Sequence, residues 1–547
     1  MMKKIIKYVV VLTLSGVLFN SCETTELGLT DDPNALTPAQ ADPDFYLNAI
    51  QVDFAKFTER VGETMAETVR TENLNNRNYQ QAYSPTSFDT AWEEAYQEVL
   101  QNIQDMTVLT TESGFDNHTA IGQFIEAYTI TELVDMFGDI PYSEALLAAD
   151  NLNPALDSGA DVYAAALTLL DNAIANFNAE SPVDPAYDFF YGGDYDKWIM
   201  ACNTLKLRLY KNMGNTSAFN SIISSGNYIQ DSADDFQFTW GTNAVQPDVR
   251  HPDYADNYTA TGGSDYQSIW LMNLMDTTSD PRLRYFFYRQ SATVPGSDGV
   301  APNEETLDCS LQTPPAHYVS GGYVFCTLPN GYWGRNHGND AGIPPDGLLR
   351  TVQGVYPIAG LFDDSSFGEI GLGAGGGGNG VTPLLLASTV EFWRAEVAAT
   401  SSVASAKPFL LSAVEMSISK VISFGTKDPD YDDSFEPTDA EIAAFVTSID
   451  DAFEAAADDE AKLNIWGEQF LISLKGNGHD GFNMYRRTGY PTDIEPNLEP
   501  DPGAFIRSFL YPATAANTNS SIAQKSTVTE QVFWDTNPAS PAFPIGN

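Results

Sequence analysis

Apolar residues recur at three- and four-residue spacing along residues 119–137: Ile121, Phe124, Ile125, Tyr128, Leu133, Val134 and Phe137. This spacing puts them on one face of a helix. Gly138 ends the helix, because glycine accepts the left-handed conformation of a C-cap, and Pro141 keeps it from resuming. The stretch is expected to scaffold, not to bind. The same period marks residues 45–69, 88–109, 161–177 and 194–213, and later 383–399, 407–424, 439–456 and 460–476. Ser158 or Asp161 fits the N-cap of the helix over 161–177. Successive helices of about 17–22 residues suggest helix-turn-helix pairs of the tetratricopeptide type, although the repeat signature is degenerate. The pattern gives pairs over about 88–213 and 383–476.

Between these blocks, residues 215–382 lose periodicity and hold much of the Gly, Pro, Tyr and Trp. One short helix is expected there, over about 265–276, and the stretch ends in a Gly-rich run at 371–380. So long a loop-rich insertion is usually functional or a subdomain, the alternative being a structural embellishment. After the second helical block, FNMYRRTGYP, an Asn- and Pro-rich tail and VFWD read as an irregular end.

The N-terminus has a different pattern. Lys3, Lys4 and Lys7 precede a short apolar run over residues 8–19, too short to span a bilayer core of ~30 Å. This reads as an export signal over residues 1–21. Ser21-Cys22 follows at once and resembles a bacterial lipoprotein cleavage site, making Cys22 the expected lipidation point; the alternative is an ordinary secretory signal with an incidental cysteine. Residues 22–44 read as a lipidated tether and 45–547 as a single domain. No other stretch reads as long and apolar enough for a transmembrane helix.

The formal net charge of −47 repels phosphate backbones and argues against nucleic-acid binding. Export permits disulfides, and Cys309 and Cys326 could pair, while Cys202 sits in a helical pattern as a buried thiol. There is no CxxC, HExxH, GxSxG or P-loop. GLGAGG at 371–376 satisfies GxGxxG formally but lacks a preceding strand, so a flexible loop is the better reading. Asp363–Asp364 or Glu391 and Glu396 could be imagined as a glycosidase dyad, but 74 acids make such pairs by chance. Asp340, Asp346, Asp363 and Asp364 could contribute oxygen ligands to Ca²⁺, at a spacing that fits no EF-hand. No other cofactor is expected.

Several stretches carry a family resemblance. EAYTITELVDMFGDIPYSEAL, with its aromatic-Gly-Asp-x-Pro turn, resembles a hallmark of SusD/RagB-type outer-membrane nutrient-binding lipoproteins. DKWIMACNTLKLRLYKNMG, TTSDPRLRYFF, TVEFWRAEVA, IWGEQFLISLKGNGHDGFNMYRRTGYP, IRSFLYP and VFWD resemble further family stretches, in the right order. GYWGRNHGNDAGIPPDG looks most like the second SusD-like subfamily. The resemblance implies a mainly α fold of four tetratricopeptide-like helix pairs with a large loop-rich insertion. It also implies a lipid anchor, exposure on the outer-membrane surface, no catalysis, and a SusC-type TonB-dependent β-barrel as partner, over which the lipoprotein acts as a lid.

Capture of an oligosaccharide needs flat aromatic faces beside amide and charged groups. Two stretches offer both: Asn73, Asn75, Arg77, Tyr79 and Tyr83, and Tyr323, Tyr332, Trp333, Arg335, Asn336, His337 and Asp340. Trp240, Tyr254, Tyr258 and Tyr266 form a weaker third cluster. The bland alternative is that these aromatics pin long loops to the helical body. The expected function is binding of a nutrient, an oligosaccharide in preference to a peptide, and its delivery to the barrel. An exported glycoside hydrolase is a remoter alternative, and a purely structural lipoprotein a third.

Overall fold

The computed structural model describes residues 42–74, 78–295, 308–342 and 345–544. The expected signal, Cys22 and most of the tether lie outside the described residues. The first block comprises α1 (Pro43–Thr68), α2 (Gln101–Ser113), α3 (Asp116–Phe137), α4 (Gly159–Phe177) and α5 (Tyr195–Asn212). α2 is entered through Asp89–Glu93 and a π-helical stretch, Glu94–Leu100. Side-chain caps set the starts: Asp42 accepts from Asp44 N at 3.1 Å, and Ser158 from Asp161 N at 3.2 Å. After α6 (Thr216–Ser225) and α7 (Ile269–Thr278), the second block comprises α8 (Ala387–Ala399), α9 (Lys407–Ile422), α10 (Asp439–Ala455), α11 (Asp459–Ser473) and α12 (Gly478–Thr488). Neighbours in sequence pack as antiparallel pairs, α3 on α4, α4 on α5, α8 on α9 and α10 on α11. The protein is mainly α, as its sequence pattern implies.

α3 departs from the expected one-sided stripe. Every residue except Asp116, Gln123 and Glu126 is buried, including Thr129, Thr131, Glu132 and Asp135. Gly138 has φ +82°, and its N–H donates to Val134 O at 2.8 Å. The chain then pairs Ile140 with Asp157.

Several expectations need correction. Residues 482–488, read as part of an irregular end, lie in α12. Its Asp480, Asn483 and Arg486 are buried along with Phe482 and Met484, so no apolar stripe marked it. It packs on α1, where a Cβ on Gly478 would lie 1.9 Å from Gly62 O. Residues 383–386, read as the start of a helix, lie in a strand and in the extended residue that caps the next helix. In the insert, β1 (Phe236–Thr239), β2 (Phe287–Tyr288), β3 (Val352–Gln353) and β4 (Val381–Leu385) form two antiparallel pairs. β1 and β4 join the two ends of the insert, Thr239 opposite Val381 and Phe236 opposite Leu385. The insert also holds more helix than the one short helix expected, in short pieces such as Pro252–Asn257 and Ala316–Gly321.

The insert has its own apolar core of Ile269, Met272, Tyr285, Phe286 and Tyr356, which meets Phe424 and Ile472 of the second block. Arg282 locks the two together. It clasps Asp280 at 2.9 and 2.6 Å and also donates to Ser417 and Gln469, at 3.0 and 2.9 Å. Cys309 and Cys326 form a disulfide, and Cys202 is a buried free thiol. The helical run Val403–Lys427 is long and apolar enough to cross a membrane, contrary to the sequence reading, but Leu410, Ala413, Val414 and Ile418 are buried in the body.

The centre of the helical body is polar. Asp135 Oδ1 accepts from Tyr163 at 2.6 Å and from Trp534 at 2.8 Å; Oδ2 accepts from Asn483 at 2.7 Å and meets His479 Nε2 at 2.8 Å. Burial alone would raise the Asp135 pKa, but the His479 bond and the other donors outweigh it and hold it at about 2. Burial and the Arg208 charge push the His479 pKa down, against the pull of Asp135, to which its Nε2–H donates.

Asp135→Asn leaves at least one of four donors without an acceptor, so we expect a loss of about 3–5 kcal/mol in urea unfolding at pH 7. The wild-type contribution is complete above pH about 4 and declines as pH falls through about 2, so the variant should show a shallower acid limb. A loss under about 1 kcal/mol would disprove the hub role. Gly478→Ala should force α1 and α12 apart and cost about 1–3 kcal/mol in the same assay.

Candidate functional site

The residues proposed for ligand contact divide between interior and cleft. Asn73, Tyr79 and Tyr83 are buried, and Arg77 lies outside the described residues. Tyr83 donates to Glu67 at 3.2 Å and packs edge-on against Phe509, while the Tyr79 hydroxyl meets His337 Nε2 at 3.2 Å and Arg70 at 3.3 Å. Trp333 is fully buried, its indole N–H donating to Thr293 O at 2.6 Å. Arg335 reaches the Ala341 and Gly342 carbonyls at 3.0 and 2.9 Å and lies 4.0 Å from the Tyr266 ring centroid. Asn336 and His337 are held by Glu495 Oε1, which accepts from Asn336 Nδ2 at 2.7 Å, the His337 N–H at 3.1 Å and the Tyr318 hydroxyl at 2.6 Å. For Tyr83, Trp333, Arg335, Asn336 and His337, and for Trp240, Tyr254, Tyr258 and Tyr266, the structure gives a loop-pinning position in place of the surface position expected. The insert has little regular structure, so its aromatics supply its core.

Three of the proposed residues reach open clefts. Tyr79 borders one of about 700 Å³ with Gln81, Pro502 and Thr527. Tyr323 faces Trp270 and Asn273 across another of about 260 Å³. Tyr332 lies in the wall of the largest, about 1060 Å³, between the C-terminal end of α7 and the start of α10. Its other walls come from Asp276, Arg284, Arg289, Asn330, Phe367, Phe435 and Glu441. The aromatic at its rim, Phe435, is 37% exposed, and the Arg284 guanidinium stands 5.0 Å from its ring. Sequence reasoning passed over Phe435 and Phe367, each a lone aromatic in a polar stretch, and over Arg284, whose stretch was read only for its family resemblance. Only the fold brings them together.

The cleft wall is braced by charge. Arg289 clasps Asp363 at 2.6 and 3.0 Å, donates to Asn330 O at 2.8 Å, and lies 4.8 and 5.0 Å from the rings of Tyr332 and Phe367. Burial alone would lower the Arg289 pKa, but the Asp363 bonds raise it, so its charge is secure. Ser365 and Phe367 take left-handed conformations, φ +64° and +56°, which side chains adopt at a cost of about 1–3 kcal/mol. Arg284 and Arg289 hold that turn through the Ser365 hydroxyl, both at 3.0 Å.

The carboxylates considered for Ca²⁺ are otherwise engaged. Asp346 is bound by Arg350 and by Tyr266 at 2.8 Å, and Asp363 by Arg289. Asp340 is exposed, and Asp364 half-buried. Of the imagined dyad, Glu391 pairs with Arg394, and Glu396 with Arg487 at 2.5 and 2.7 Å. Burial would raise the Glu396 pKa; Arg487 lowers it.

A family model described as "Starch-binding associating with outer membrane" matches residues 33–304, from the tether across α1 to α7 and into the insert. The chain belongs to the SusD-like family. Solved structures of SusD-like proteins share its fold. A SusD/RagB family protein from Bacteroides thetaiotaomicron aligns with TM-score 0.66 at 19% identity, covering 91% of this chain and 100% of that one. A chitin-binding SusD homolog from Flavobacterium johnsoniae aligns with TM-score 0.62 at 17% identity, covering 90% and 99%. A protein described as chitin-binding aligns with TM-score 0.65 at 20% identity, covering 91% and 100%. A search of curated proteins found no match.

Glu495 fixes the loop that carries three of the proposed SusD-like site residues, and its protonation is testable. Its Oε1 takes all three hydrogen bonds and Oε2 takes none. Burial raises its pKa to about 7, against the bonds from Tyr318 and Asn336. A carboxyl with a raised folded-state pKa stabilises fully below its unfolded value and loses that advantage as pH rises through about 7. Glu495→Gln keeps the acceptor and removes the proton. Urea titrations from pH 5 to 8.5 should show the variant gaining on wild type by up to about 3 kcal/mol at the alkaline end. A pH-independent difference would refute the assignment.

Proposed function

We propose that the protein captures an oligosaccharide in the cleft between α7 and α10 and passes it to an outer-membrane transporter without bond chemistry. One observation carries the reading: the cleft of about 1060 Å³ sets the Tyr332, Phe367 and Phe435 rings beside two guanidiniums, an amide and several hydroxyls. Sugar rings stack their C–H faces on aromatics and give their hydroxyls to such partners. The volume suits several sugar units. The chitin-binding descriptions of two similar structures support a glycan over a peptide. The Trp270–Tyr323 cleft, on the other side of α7, is a second contact region for a longer chain.

The family match supports a delivery step. A lipid on Cys22 would tether the domain to the outer-membrane surface through residues 22–44, and a SusC-type TonB-dependent barrel would receive the ligand, with this protein as its lid. The strongly acidic surface suits a neutral ligand, since it attracts no polyanion.

Calorimetric titration with panels of chito- and malto-oligosaccharides and of short peptides tests the reading. A glycan should bind, and Phe435→Ala and Arg284→Ala should each weaken it at least about tenfold, with far-UV circular dichroism unchanged. Binding unaffected by both substitutions would remove this cleft as the site, and a further loss in Trp270→Ala alone would transfer the assignment across α7. A peptide as the sole ligand would overturn the glycan reading.

A further inference from the structure

The acidic residues of the helical body and the insert fall into two groups: those clasped by a cation and those that are not. Glu59 of α1, His251 at the N-cap of the short helix Pro252–Asn257 and Asp253 in its first turn converge so that one donor atom from each lies within 4.8 Å of the others. His251 is 1% exposed, and its Nε2 lies 3.6 Å from Glu59 Oε1, beyond hydrogen-bond reach. Neither ring nitrogen makes a well-formed hydrogen bond. Burial keeps the ring neutral, outweighing a contact with the Val381 backbone. A buried imidazole whose Nε2 reaches no hydrogen-bond partner and is aimed at two carboxylates leaves a lone pair unused.

The carboxylates are oriented from behind. The Thr382 hydroxyl donates to Glu59 Oε2, and Gln353 Nε2 donates to Asp253 Oδ2 at 2.9 Å. Trp240 Nε1 donates in turn to Thr382 Oγ1 at 2.9 Å, and its ring packs edge-on against His251 with centroids 5.9 Å apart. Each carboxylate thus has one oxygen fixed and one left over. Outer donors that fix ligand orientation are what metal sites use. The nearby Lys475 is committed to Glu72 by an ion pair.

We propose that Glu59, His251 and Asp253 bind a divalent cation of the zinc class, held between α1 and the β1–β4 clasp of the insert. Three protein donors, one of them a neutral imidazole, match a four-coordinate zinc ion with one position left for water. Donors around such an ion stand about 3.4 Å apart, close to the 3.6 Å already present between His251 and Glu59. Calcium takes six to eight oxygens and has no use for the imidazole. The cation would neutralise two buried carboxylates and pin the insert to the first helix.

The test is metal binding by the purified protein after chelator treatment, with ZnCl₂ as the probe, read by calorimetry and by elemental analysis after dialysis. One equivalent of zinc should bind and quench or shift the Trp240 fluorescence. His251→Ala and Glu59→Gln should weaken binding about 100-fold or more, and Gln353→Ala, which keeps all three ligands, about 10–100-fold. Circular dichroism of the stripped proteins establishes folding; should the ligand variants unfold, Gln353→Ala and the wild-type stoichiometry still decide. No zinc uptake by the stripped wild type, uptake unchanged in His251→Ala, or selective uptake of calcium over zinc would each overturn the proposal.

Discussion

Asp135 gathers hydrogen bonds from residues as far as 399 positions away in the chain. Its partners lie on α4, on α12 and in the C-terminal segment, and Asp135 itself sits on the most deeply buried helix. A carboxylate without water there would be ruinous alone, so its four donors must arrive together for the body to close. The interaction therefore selects one arrangement of segments that apolar packing alone would leave loosely specified. The neighbouring charges follow the same logic. Arg208 donates to Tyr128 at 2.9 Å and stands 3.9 Å from Asp480, and Arg507 clasps Asp535 close to the Trp534 contact.

This hub explains why scattered stretches carried the family resemblance. VDMFGDIP supplies Asp135, GHDGFNMYRR supplies His479 and Asn483, and VFWD supplies Trp534; they meet at one carboxylate. TTSDPRLRYFF supplies the Arg282–Asp280 clasp that fastens the insert to α9 and α11. The recognisable motifs are thus the polar joints of the scaffold. They specify the fold and are silent about the ligand, which agrees with solved structures that share the architecture at 17–20% identity.

The helices were legible wherever one face is apolar and a cap marks the start, as at Ser158 before α4 and Thr438 before α10. α12 was not, because its buried residues include Asp480, Asn483 and Arg486, and a helix buried among polar partners has no stripe to read. The β1–β4 pairing joins residues that flank a segment of well over a hundred positions, and no local pattern carries that register. The site was legible only in part for a related reason. Aromatic-rich loops signal either a stacking surface or a substitute core, and an insert with four short strands needs the substitute core first. Trp333, Tyr254 and Tyr258 went to that purpose, while Tyr332, at 3% exposure, shows the cleft little more than an edge. The exposed ring beside it, Phe435, comes from the loop before α10, outside the insert altogether.

The cleft and the hub place opposite demands on buried charge, and the molecule keeps them apart. At the hub both oxygens of Asp135 are taken by protein donors, so that carboxylate has nothing left for a ligand. In the cleft, Arg289 spends its donors on Asp363, Asn330 and Ser365 and contributes its flat face between Tyr332 and Phe367, which rigidifies the wall. Arg284 is different: one terminal nitrogen braces the Asp363–Ser365 turn, and the side chain remains about a third exposed over Phe435. A braced wall with one partly committed cation over an exposed ring lowers the ordering entropy that a flexible ligand must overcome on binding. Under the proposed function, ligand choice would then rest on a few rim residues that contribute little to the core. Such residues can change without disturbing the joints on which the fold depends.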